Sequence, residues 1–242
     1  MVRNCTTTRM GNKNDIAGWP YKMHKKLDIN TLALRVLEIS YKHNLSHVGS
    51  CLTCLRSIVA IFEEKEEDDI FILSNGHSGV AYYVVLEALH DDVDAEEILL
   101  KCGIHPERHA HPRISFSTGS LGMGVGAAVG FALSDRERRV YCIISDGEAA
   151  EGVVYEALNF ASEKELTNLK VVVNWNGYSA LSPAKKIINN LLNVYPQGLI
   201  SIDYTHQVMK ELGLEDYQNL SGHYRILTKE EYEDAKKILK NS

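Results

Sequence analysis

Two short polar stretches, each at the end of an apolar run, carry the residues best suited to chemistry in this chain. Val140 to Ile144 is apolar and ends in Ser145-Asp146-Gly147, and Leu169 to Val173 is apolar and ends in Asn174-Trp175-Asn176-Gly177. Asp146 and Asn176 lie 30 residues apart, the length of one strand–helix–strand excursion. The spacing predicts both residues at the C-terminal ends of successive parallel strands, the edge where open α/β sheets bind ligands. A carboxylate and an amide oxygen meeting there suit a hard, oxygen-preferring cation such as Mg²⁺, which usually carries phosphates in turn. Asp146 alone has a common structural use at a helix N-cap, so the pair is the stronger signal.

His47, His77 and His105 each fall in a loop beside a predicted helix start. One such histidine alone would serve as a structural hydrogen-bonder. Several at one ligand edge can donate to phosphates and hydroxyls and move protons near neutral pH. His105, His109 and His111 offer a transition-metal alternative, but Pro106 and Pro112 oppose the helix that would align i with i+4. The run Gly119-Ser-Leu-Gly-Met-Gly-Val-Gly126 reads two ways. It either admits an anionic ligand against backbone at a helix N-terminus, or its small residues let a helix pack closely. A Rossmann fingerprint is disfavoured, because no strand candidate directly precedes the run and no spaced acidic residue follows a second strand. Glu151 and Glu156 read as a solvated helix face, while Ala149, Ala150, Ala157 and Ala161 make the same helix smooth enough to pack on another protein chain.

The elements that must position these residues follow from apolar periodicity and turn residues. Helices are expected over Asp28–His43, Leu55–Phe62, Ser78–Leu89, 94–101, Gly124–Leu133, the stretch after Gly147, Pro183–Leu192, Thr205–Leu212 and Lys229–Leu239. Strands are expected at Asp69–Leu73, Val140–Ile144, Leu169–Val173 and Leu199–Asp203. Residues 1–27 are polar and read as an N-terminal arm, leaving 28–242 as one α/β domain with a mainly parallel sheet. The chain has 242 residues, 45% of them hydrophobic, enough for a real core. Its net charge of −6 gives no electrostatic footprint for nucleic acid. No apolar run approaches the ~20 residues needed to span a bilayer, and the first residues have no apolar core of a secretory signal. The five cysteines are odd in number and scattered, unlike a disulfide framework. Cys51-Leu52-Thr53-Cys54 lacks the second pair a zinc site would want, and a reducing cytoplasmic compartment is the expectation.

Together these pieces resemble the N-terminal, diphosphate-binding half of transketolase, a thiamine diphosphate enzyme. The likeness runs from about Leu45 to Tyr178, with a weaker part over His223 to Tyr232. The family's Asp-Gly, Glu-Gly and, after thirty residues, Asn are matched by Asp146-Gly147, Glu151-Gly152 and Asn176-Gly177. Its S-x-G-H is matched by Ser74-Asn-Gly-His77, its H-P-E by His105-Pro-Glu107, and its T-G-x-L-G-x-G by Thr118-Gly-Ser-Leu-Gly-Met-Gly124. Its G-H-P-G appears altered, as Ser46-His-Val-Gly49.

The resemblance implies a thiamine diphosphate-binding α/β fold, its mainly parallel sheet flanked by helices on both faces. It implies that Asp146, Asn176 and the Tyr178 carbonyl hold Mg²⁺, or Ca²⁺ or Mn²⁺ in its place. His77, Gly147, Glu148 and His223 would lie by the diphosphate, and Gly119, Ser120 and Leu121 against the aminopyrimidine. His47 and His105, with His77, would serve the sugar's oxygens, and Glu151 and Glu156 would lie at a subunit interface. The implied activity is transfer of a two-carbon ketol unit from a ketose to an aldose, which makes the chain part of a transferase for sugars or sugar phosphates. The family's cofactor-activating glutamate and its phosphate-gripping arginines belong to later domains. The chain therefore resembles the smaller subunit of a split transketolase, inactive alone and completed by a second chain with the pyrimidine-binding domain, as α₂β₂. Ser145 for the usual glycine, Val48 for proline and a short Ala180–Leu199 stretch depart from the pattern and bear on sugar specificity, leaving room for a nucleotide-linked sugar. Two other readings stand beside this one: another thiamine diphosphate carboligase or decarboxylase subunit, and a non-catalytic binding subunit.

Overall fold

The computed structural model describes residues 26–177, 184–195, 198–205, 207–217 and 222–241. Helices α1 (Ile29–Lys42) and α2 (Val48–Glu64) precede strand β1 (Ile70–Leu73). Helices α3 (Gly79–Leu89), α4 (Ala95–Cys102) and α5 (Met123–Ser134) lead to β2 (Val140–Ser145). Helix α6 (Gly152–Glu163) joins β2 to β3 (Leu169–Trp175), and α7 (Lys185–Val194) precedes β4 (Ile200–Tyr204). Helices α8 (Val208–Glu211) and α9 (Lys229–Asn241) follow. Most of the expected N-terminal arm lies outside the described residues, and Leu27 at its end is buried in the core.

The strands lie in sequence order β1-β2-β3-β4, each parallel to the next. Strand residues alternate between two cores. Phe71, Leu73, Tyr141 and Ile143 face one side, where α1, α2, α3, α4 and α9 pack. Ile70, Ile72, Val140, Cys142, Ile144, Val171 and Val173 face the other, beneath α5, α6 and α7. Both faces are covered, which is why these strands read as near-continuous apolar runs rather than alternating ones. Helices α5, α6 and α7 share a face because crossovers of one hand, stepping always in one direction along a sheet, deposit their helices on one side.

Helix α2 begins at Val48, seven residues before the expected Leu55. Its polar residues concealed it. Thr53 Oγ1 accepts from Asn174 Nδ2 at 3.3 Å, and the Ser57 hydroxyl donates to Asp203 at 2.7 Å. These groups are satisfied inward, against the ends of β3 and β4, so the helix is buried nearly all round and has no clean apolar stripe. Strand β3 runs through Trp175, two residues past its apolar core, and α8 is a single turn. Asp28 and Asp94 cap α1 and α4 by accepting the Thr31 and Glu97 N–H groups, at 3.0 and 2.9 Å.

The glycine run serves packing at one position and not at another. A Cβ on Gly124 would stand 2.6 Å from the Ser74 side chain, whereas one on Gly126 would meet nothing within 4 Å. Gly124→Ala is therefore expected to destabilise the chain by about 1–3 kcal/mol through overpacking. Gly126→Ala is expected to stabilise it by up to ~1 kcal/mol through helix propensity. Urea denaturation of the two variants checks the contrast.

Candidate functional site

The β2–β3 register pairs Ser145 with Asn174, so the chain turns off both strands at the same edge. There the Asp146 N–H donates to the Asn174 carbonyl at 3.2 Å. The Asp146 side chain is almost fully buried, at 1% exposure. Its Oδ1 accepts the Gly147 N–H at 3.0 Å and its Oδ2 the Gly177 N–H at 2.8 Å. Gly177 has φ +109°, a conformation that favours glycine. Asn176 is buried beside it. The structure thus brings Asp146, Gly147 and Asn176 to one edge; Tyr178 lies outside the described residues. Among the described residues no three His, Cys, Asp or Glu side chains converge as a metal centre, so the His105, His109, His111 alternative gains no support. A cation at this edge would draw on Asp146, the Asn176 amide and oxygens of another origin.

Three histidines meet nearby. His77 sits in the turn Gly76–Ser78 after β1, His47 at the N-cap of α2, and His223 in the turn Gly222–Tyr224. The His47 ring lies 5.3 Å from that of His77, 6.1 Å from His223 and 5.5 Å from Tyr224. His47 has φ +63°, rare for a residue with a side chain. The strain is held because its N–H donates to the His223 carbonyl at 2.8 Å and its Nδ1 lies 2.8 Å from the Ser46 hydroxyl. His105 is exposed, its ring 3.7 Å from where a Cβ on Gly119 would stand.

Burial pushes His47 down to about 4, with the neighbouring His223 and His105 adding to the effect. It pushes His77 down to about 3, again with the other imidazoles reinforcing it. Both rings are neutral near pH 7, each with one N–H donor and one acceptor nitrogen, a set suited to hydroxyl and carbonyl oxygens. The unfolded chain binds more protons than the folded one between the lowered values and the ordinary 6.5. Stability from these rings is therefore present above about pH 6.5 and lost as pH falls toward 4. Denaturant midpoints measured across that window should drop with acidification, and the drop should shrink in a His47→Gln, His77→Gln double variant.

Gly119, Ser120 and Leu121 form the loop entering α5, with Ser120 exposed and Leu121 half-buried. The loop turns at Gly122, φ +83°, where a Cβ would stand 2.4 Å from Val153. The Glu148 side chain points beneath this loop rather than out of it. Its carboxylate accepts the Ser74 hydroxyl, the Gly122 N–H at 2.6 Å and the Ser145 N–H at 3.2 Å, while its own N–H donates to the Ser145 hydroxyl at 3.1 Å. Burial pushes Glu148 up to about 7, against the pull of those hydrogen bonds. The reciprocal Ser145–Glu148 pair is a capping box, and its S-x-x-E spacing is a signal visible in the sequence. Ser46 had no comparable signal, because its role depends on the left-handed turn at His47.

Glu151, at the N-cap of α6, and Glu156, on that helix, are both exposed. Of the four alanines expected to smooth an outer face, Ala150 is exposed, while Ala149, Ala157 and Ala161 are buried in this chain's own core. The outer face of α5 and α6 carries Met123, Leu133, Val153 and Phe160, each about 40% exposed.

Residues 62–187 match the model of the transketolase, thiamine diphosphate binding domain family. The human transketolase-like protein 2 is 38% identical over 175 residues, covering 64% of this chain and 28% of that protein. Human transketolase is 32% identical over 174 residues with the same coverage. One of the subunits of the apulose-4-phosphate transketolase of Phocaeicola vulgatus is 31% identical over 162 residues, covering 59% of this chain and 57% of that one. Among solved structures, the Pichia stipitis transketolase complex with sedoheptulose-7-phosphate superposes with a TM-score of 0.61 at 19% identity, over 88% of this chain and 43% of that one. The Leishmania mexicana transketolase superposes with a TM-score of 0.60 at 17% identity, over 89% of this chain and 45% of that one. The fold is thus that of the transketolases, and this chain spans 28% of the length of relatives such as human transketolase. By the match over half its residues, the chain belongs to the transketolase thiamine diphosphate binding domain family.

Proposed function

We propose that this chain is the diphosphate-holding subunit of a split, thiamine diphosphate-dependent transketolase that moves a two-carbon ketol unit between sugars or sugar phosphates. The observation that carries this reading is the buried Asp146 carboxylate, fixed by two backbone N–H groups next to Asn176 at the C-terminal edge of the sheet. The donor set suits the cofactor's metal: Asp146 and Asn176 would offer hard oxygen ligands to Mg²⁺, with the Tyr178 carbonyl and diphosphate oxygens as the further ligands the resemblance implies. The cofactor, when bound, supplies an electron sink for the two-carbon fragment. The protein's part is to hold its anionic tail and orient its ring. Asp146 and Asn176 would anchor the tail through the metal, with Gly147, His77 and His223 beside it. Gly119, Ser120 and Leu121 would meet the ring, where a Cβ on Gly119 would find no heavy atom closer than 3.7 Å. His47 and His105 would donate to the sugar's oxygens, and the neutral His47 imidazole suits that task.

A partner chain is the second half of the proposal. The Phocaeicola vulgatus relative is named as one subunit of a transketolase, and the exposed apolar face of α5 and α6, flanked by Glu151 and Glu156, is where such a partner would pack. The partner would bring the pyrimidine-binding domain, in an α₂β₂ assembly within the cytoplasm. Gly126, exposed on α5, gives a test. Gly126→Ile should leave the chain folded by circular dichroism and weaken its co-purification with the partner. Unchanged co-purification would place the interface elsewhere.

A further inference from the structure

Glu148 is a wholly buried carboxylate, and its hydrogen bonds come from the neutral donors Ser74, Gly122 and Ser145. Apolar residues of similar volume often serve the stability of such a buried site better than a carboxyl group. The capping box with Ser145 accounts for one of the contacts. It does not account for the other two, because Ser74 lies 74 residues away at the end of β1 and Gly122 lies 26 residues away in the glycine loop.

What the three donors share is their neighbours. Ser74 opens the turn that carries His77, Gly122 follows Leu121, and Ser145 precedes Asp146. We propose that Glu148 is a positioning residue, which touches no ligand but pins from beneath the three segments that hold the diphosphate, the cofactor ring and the metal. This role rests on the cofactor reading proposed above. The three segments do not depend on Glu148 equally. Asp146 keeps its own bonds from Gly147 and Gly177, so the metal edge survives without Glu148. The Gly122 N–H points at Glu148 in a turn with φ +83°, so the ring-facing loop depends on this carboxylate for its anchor.

This asymmetry gives a readout that a merely structural role would not move. Thiamine diphosphate and inorganic diphosphate, each with Mg²⁺, are titrated into the full chain by calorimetry, below the melting temperature of every variant. Glu148→Ala is expected to weaken thiamine diphosphate by about tenfold or more, the loss expected when a buried acceptor is removed and its donors are left unpaired, and inorganic diphosphate by less than about threefold. Glu148→Gln can keep an acceptor oxygen on Ser74 and Gly122, and is expected to restore thiamine diphosphate to within about threefold of wild type. If Glu148→Ala does not fold, Glu148→Asp keeps a carboxylate but shortens its reach to Gly122, and should show the same preference in smaller measure. Equal losses for the two probes, no loss at all, or a Gln variant as weak as Ala would overturn the positioning role. A wild-type chain that binds neither probe, alone or with its co-purifying partner present, overturns the functional reading, and this inference with it.

Discussion

Asp146→Ala is expected to abolish measurable thiamine diphosphate binding, a loss of about 100-fold or more. Three effects combine. The change removes the buried carboxylate at the sheet edge that would neutralise the cation's charge, and charge-assisted contacts of this kind are roughly twice as strong as neutral ones. It releases the Gly147 and Gly177 N–H groups, which the carboxylate holds at 3.0 and 2.8 Å, so the turn carrying Asn176 loses its tether. It also leaves a void at a position 1% exposed. Two unsatisfied backbone donors cost on the order of 1–3 kcal/mol each when buried, so a drop in melting temperature accompanies the loss of binding. Asp146→Asn separates the two, since it keeps one acceptor oxygen and the volume but not the charge. It should restore most of the stability and little of the affinity. Calorimetry for binding and thermal denaturation for stability, on both variants, check this.

The purified chain is expected to turn over no ketose phosphate by itself, and to gain at least about 10³-fold on adding the chain that carries the pyrimidine-binding domain. General acid–base catalysis at a cofactor contributes about 10²–10⁴-fold. The acid that would activate the aminopyrimidine belongs, by resemblance, to that second domain. Beneath the ring-facing loop of this chain lies Glu148, and its oxygens are already committed to Ser74, Gly122 and Ser145. A coupled assay with a ketose phosphate donor and an aldose phosphate acceptor, run on the chain alone and on the mixture, checks the expectation. Turnover by the chain alone would contradict it.

Much of this architecture was legible because its signals are local. The apolar runs at Val140 and Leu169 are long enough to name strands, and a 30-residue excursion between Asp146 and Asn176 admits little other than one parallel crossover. The signal failed where burial removed periodicity. Helix α2 is buried nearly all round and satisfies its polar residues inward, so its first seven residues fall outside the expected helix. Three of the four alanines of α6 and the turn before it misled for a related reason: small residues suit any close packing, and Ala149, Ala157 and Ala161 pack against the chain's own sheet. Histidines 47, 77 and 223 were each visible, yet their convergence depends on a left-handed residue at His47 and on a bond to the His223 carbonyl, which no spacing rule encodes. Glu148 was visible as a polar residue after Asp146-Gly147. Its inward direction follows from long-range partners at the end of β1 and in the glycine loop.

The central claim is that the Asp146 edge holds a diphosphate through a divalent cation. The most direct measurement is a calorimetric titration of thiamine diphosphate into the full chain, alone and with its co-purifying partner, in Mg²⁺ and again in excess EDTA. The account predicts saturable binding of one cofactor per chain that requires Mg²⁺ and disappears in Asp146→Ala. Binding that is indifferent to EDTA and to the loss of Asp146, or no binding in any of these conditions, would contradict it.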